Sequence, residues 1–118
     1  MRLRPALMAA TVAALVVPSV AHAYTRLYGR VGPDTTITLK RADGTAVHRT
    51  RHGLKTFIIR DRGSNHNFHL VGRGVDRRTG IAFTGRRRWS PVRLYAGSTY
   101  RFYCEVHPTT MSKTFTVT

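Results

Sequence analysis

The sequence has one cysteine, one tryptophan and only five acidic residues among its 118. A single thiol, Cys104, can neither close an internal disulfide nor build a cysteine-rich zinc site. After Ala23 no apolar residues recur at the 3.6-residue period of an amphipathic helix over a useful length. There is no internal repeat, no low-complexity tract and no acid–base pair in a setting that suggests catalysis, so an enzyme is not expected. The length holds one domain of about 100–150 residues. That excludes a multidomain enzyme, a Rossmann dehydrogenase and a TIM barrel.

Positive charge is what the chain has in excess. Lys and Arg number 20 and the formal net charge is +15. Hydrophobic residues still make up 42% of the chain, enough for a packed core, so the basic excess does not imply disorder.

The start of the chain reads as an address. Arg2 and Arg4 precede an uncharged apolar run from Ala6 to Val20, and Ala21-His22-Ala23 ends it with small residues where signal peptidase reads them. Basic, apolar and small-residue regions in that order predict a secretory signal peptide over residues 1–23. An uncleaved membrane anchor fits less well, because about 20 apolar residues are needed to span a bilayer and Pro18 interrupts this run. The expectation is a secreted or periplasmic domain from Tyr24 to Thr118, monomeric and without a transmembrane segment after cleavage. In an oxidising compartment an idle free thiol is a liability, so Cys104 calls for a function.

Beyond Ala23 the chain alternates at period two between turn residues, the pattern of short strands. Ile37 and Leu39 alternate with Thr38 and Lys40, and Asp43-Gly44 marks a turn. Phe57 and Ile59 form a run closed by Asp61-Arg62-Gly63-Ser64. His66, Phe68 and Leu70 share a face, Ile81 to Thr84 is a brief strand candidate, and Val92 and Leu94 alternate with Arg93 and Tyr95. Tyr100, Phe102 and Cys104 share a face, as do Phe115 and Val117. Trp89 has the parity of the outward Arg93 unless Pro91 introduces a bulge. The arginine- and glycine-rich stretch Arg73 to Arg88 reads as a long loop. The fold class expected is all-β, a Greek-key β-sandwich of about seven or eight strands.

The chemistry gathers in one hairpin. Cys104, His107 and Met111 offer thiolate, imidazole and thioether within eight residues, and His66 offers a second imidazole from an earlier segment. Thiolate and two imidazoles in a plane, with a long axial thioether, is the donor set of a blue-copper centre. His69 competes with His66 for the first imidazole. Strand parity turns His69 away from Phe68 and Leu70, either to solvent or beside the site, and so favours His66. His48 and His52 lack any strand partner and default to the surface.

On His66-Asn67, on Tyr103-Cys104 with His107 and Met111, and on the apolar strand through Phe115 and Val117, the sequence resembles the cupredoxins of the plastocyanin, pseudoazurin and amicyanin type. The likeness is good from Lys55 to Thr118 and only general before that. It implies one type 1 copper ion, with His66, Cys104 and His107 as equatorial ligands and Met111 axial. It also implies that Asn67 ties the ligand loops together. The function expected is single-electron transfer. Two alternatives remain: a domain that stores or delivers copper without electron transfer, and a metal-free β-sandwich that binds anionic cell-surface polymer. Arg77-Arg78 and Arg86-Arg87-Arg88 are the densest basic patch, suited to an acidic redox partner protein or an anionic envelope surface. No nucleic-acid partner is expected, since no recognition helix or stacking platform is present.

Overall fold

The computed structural model describes residues 2–6, 8–14 and 23–118. Residues 1, 7 and 15–22 lie outside that description, and with them most of the proposed leader and its cleavage point. Among the described residues there are nine strands: β1 (Thr25–Val31), β2 (Ile37–Lys40), β3 (Arg49–Thr50), β4 (Gly53–Asp61), β5 (His69–Gly72), β6 (Val75–Arg78), β7 (Gly85–Leu94), β8 (Thr99–Tyr103) and β9 (Ser112–Val117). They form a four-stranded sheet ordered β2-β1-β4-β7 and a five-stranded sheet ordered β3-β9-β8-β5-β6. The pairs β1–β4 and β3–β9 are parallel and the others antiparallel. The all-β sandwich expected from the sequence is present, and there is no helix among the described residues.

Alternation explains the two layers. In β1, Leu27, Gly29 and Val31 are buried while Arg26, Tyr28 and Arg30 are exposed; Tyr100 and Phe102 repeat this in β8, and Phe115 and Val117 in β9. The inward residues of both sheets meet in one core, where Phe68 stacks on Phe102 at 5.5 Å between ring centroids and Tyr100 on Phe115 at 5.4 Å. Gly29 makes this possible. A Cβ there would stand 2.6 Å from Ile59 Cδ1 and 2.9 Å from the Phe68 ring, so only glycine lets the ring cross β1.

Several local expectations are corrected. Ile81 to Thr84 is a turn and its approach, not a strand. The stretch Arg73 to Arg88 is not one loop: it holds β6 and the first part of β7. Both are edge strands, where exposed charge is tolerated at every position, so the apolar alternation that marks a strand in sequence is missing. Its arginines are also divided, with Arg77 and Arg78 on one sheet and Arg86 to Arg88 on the other. Trp89 is buried in the core. Lys55 faces Val92 while Phe57 faces Trp89, so three steps on β7 match two on β4; this bulge at Ser90-Pro91 reverses the parity of Trp89 relative to Arg93.

A candidate metal centre

Two segments meet at one end of the sandwich. The first is the loop from Arg62 to Phe68 that leads from β4 into β5, and the second is the β8–β9 hairpin, residues 104–111. His66 does not start a strand: β5 begins only at His69. Its backbone N–H donates to Gly63 O at 3.1 Å, in a tight turn. Gly63 is required there, because a Cβ would lie 2.6 Å from His66 Cδ2. In the hairpin, His107 N donates to Cys104 O at 3.1 Å, Met111 N to His107 O at 2.9 Å and Cys104 N to Met111 O at 2.9 Å. These bonds fold eight residues into a fixed loop with Cys104 and Met111 wholly buried and His107 half-buried.

The result is a cluster. Cys104 Sγ lies 3.8 Å from His66 Nδ1 and 3.9 Å from His107 Nδ1, and the two imidazoles are 4.9 Å apart between centroids. The three donor atoms all lie within 4.8 Å of one another and could hold a metal ion. A metal–sulfur bond of about 2.3 Å and a metal–nitrogen bond of about 2.0–2.1 Å, 120° apart, separate sulfur from nitrogen by about 3.8 Å. At the tetrahedral angle the same bonds give about 3.5 Å. The two sulfur–nitrogen spacings are thus of the size that bonds to one shared ion require.

The network behind these side chains is one that sequence reasoning found only in part. Asn67, wholly buried, spans the two segments: its N–H points at Cys104 Sγ at 3.4 Å, its Oδ1 accepts Glu105 N–H at 2.8 Å, and its Nδ2 donates to Glu105 Oε2 at 3.1 Å and to Thr79 O at 3.2 Å. Thr79, just past β6, carries a second tie. Its Oγ1 accepts Phe68 N–H at 2.9 Å and donates to Asp61 Oδ2 at 2.7 Å. Asp61 Oδ1 in turn accepts Gly63 N–H at 3.1 Å, so one buried carboxylate closes the loop that presents His66. Burial raises the Asp61 carboxyl above its ordinary range, and the bonds from Thr79 and Gly63 and the charge of His66 pull it part of the way back.

His69 is the neighbour of the site rather than a solvent-facing residue. It is buried on the far side of β5, with Nε2 2.6 Å from Asp76 Oδ1 and Nδ1 2.9 Å from Glu105 Oε1; the second contact is close without being aligned as a hydrogen bond. The bond to His69 holds the exposed Asp76 carboxyl below its ordinary range. Arg78 Nη1 donates to Glu105 Oε1 at 2.8 Å, so Glu105 is held from Asn67, Arg78 and the edge of His69. Nothing in the sequence pattern pointed to Glu105 or Thr79. The one available signal was Asp61-x-Gly63, a spacing at which an aspartate side chain caps the backbone two residues on. His48 and His52 are exposed, as expected. A scan against protein-family models and a search of curated proteins found no match to this chain.

Proposed function

We propose that the protein is an exported cupredoxin-like carrier that binds one copper ion and passes single electrons. The observation that carries this reading is the convergence of two imidazole nitrogens on the lone buried thiol of Cys104. A lone thiolate with two imidazoles and a thioether on the same hairpin is a donor set suited to copper, since soft sulfur favours Cu(I) and imidazole suits Cu(II). Copper bound there would supply reversible one-electron chemistry. The chain's part is to hold the donors where neither oxidation state is strongly preferred. His66 is fixed by the Gly63 turn, Cys104 and His107 by the hairpin, and both segments by Asn67. Met111, buried at the hairpin's closing end, would supply a fourth, thioether donor. His107 is the most exposed of the three donors and so offers the shortest way for an electron to reach a partner. Export follows from the leader pattern of residues 1–23.

Titration of the purified protein with Cu(II), followed by visible absorption, tests the proposal. Intense colour saturating at one copper per chain is expected, and a colourless product at saturation overturns it. Asn67→Ala, which releases the two segments from each other, is expected to lower copper affinity by about 10–100-fold in competition with a chelator, the usual effect of losing a partner that orients ligands.

A further inference from the structure

The exposed face of the four-stranded sheet concentrates basic charge in register. Strand pairing sets Arg30 beside Arg60 and Arg60 beside Arg86, a row of three arginines on β1, β4 and β7. Two residues along, the neighbouring row runs Lys40, Tyr28, Ile58 and Arg88. Arg26 and Arg93 extend the face toward the other end, and all these cationic side chains are exposed. Among the described residues none of them makes an ion pair, and no outward position of these four strands carries a carboxylate. Asp34, in the turn at one corner, is already engaged by the N–H and hydroxyl of Thr36. Like charges directly opposite on neighbouring strands are destabilising, so the fold tolerates repulsion here that an external anion relieves.

The shape of the patch selects among anions. Strands lie about 4.8 Å apart and alternate residues along a strand about 6.8 Å, so the cations form a two-dimensional grid. A linear polyanion can follow only one row of such a grid at a time. A plane of anionic headgroups can meet every row. The half-exposed Tyr28 and Ile58 between the rows suit the boundary between headgroups and acyl chains, where tyrosine is enriched. We infer that this face docks the protein on an anionic lipid bilayer. The inference stands apart from the copper reading, because none of the candidate metal donors lies on these strands.

Co-sedimentation with vesicles tests it. The purified protein is expected to partition at least about tenfold more strongly onto phosphatidylglycerol–phosphatidylcholine vesicles than onto pure phosphatidylcholine, and to come off as salt is raised. The triple change Arg30→Gln, Arg60→Gln, Arg86→Gln is expected to weaken this partition by about a hundredfold. A second triple, Arg49→Gln, Arg51→Gln, Lys113→Gln, removes the same charge from strands and a turn outside this face and is expected to retain most of the binding. Circular dichroism checks that both variants fold. Equal loss in the two variants shows that net charge alone governs binding and overturns the docking face. Absence of preference for the anionic vesicles overturns it too. Tighter binding to soluble polyphosphate than to the vesicles, lost in the first triple, replaces the bilayer with a linear polyanion.

Discussion

Cys104→Ser is expected to fold and to give a copper complex without intense colour. The substitution is nearly isosteric at a wholly buried position, and the Asn67 N–H that points at sulfur finds the serine oxygen as acceptor instead. The fold therefore has little to lose. The centre loses its only soft anionic donor, and the strong visible absorption in this reading belongs to charge transfer from that sulfur. Its affinity for copper should fall by more than the about 10–100-fold caused by removing an outer partner. Absorption, chelator competition and circular dichroism on the same sample separate the outcomes. A variant that stays coloured means the metal is not held by the thiolate, and the carrier proposal fails with it.

Thr79→Val is expected to cost about 3 kcal/mol of folding stability, read from urea denaturation of the metal-free protein. Valine fills the same volume in this buried site but leaves Asp61 Oδ2 without a donor and Phe68 N–H without an acceptor, each at about 1–3 kcal/mol. Against a total of about 5–15 kcal/mol for an ordinary domain, that is a large fraction. The deficit should also depend on pH. Because burial raises the Asp61 carboxyl in the folded state, the folded chain holds this proton more tightly than the unfolded one. Below the ordinary aspartate range both states are protonated and Asp61 makes no difference. Stability falls as pH rises from that range through the raised folded value, and the full cost persists above it. Loss of the Thr79 hydroxyl removes a bond that favours the carboxylate and raises the folded value further, so the deficit is smaller in acid than at neutral pH. Adding Asp61→Asn should flatten the difference; equal deficits in acid and at neutral pH would sink this account.

The contrast between these two residues shows what the sequence could reveal. Cys104, His107 and Met111 are legible because one hairpin carries all three, and spacing along the chain is then spacing in space. His66 is legible only as a type of residue in a plausible place, since its approach to the thiol depends on β5 pairing with β8, with His69 opposite Tyr103, across more than thirty residues of chain. Thr79 and Glu105 are common polar residues whose meaning comes entirely from what the fold brings beside them. The same holds for Trp89, whose burial turns on a single extra residue in β7, and for β6, whose edge position freed it from the alternation that identifies strands.

The outermost strands have a consequence for how copies of the protein meet. β7 and β6 each end a sheet, and each presents an unpaired row of backbone donors and acceptors that another chain could extend. Those two borders carry Arg86, Arg87 and Arg88 on one side and Arg77 and Arg78 on the other, with Pro91 interrupting the hydrogen-bonding row of β7. A second molecule pairing like edge to like edge, β7 on β7 or β6 on β6, brings guanidinium groups close together. The arginine runs thus oppose lengthening of the sheets through these two borders.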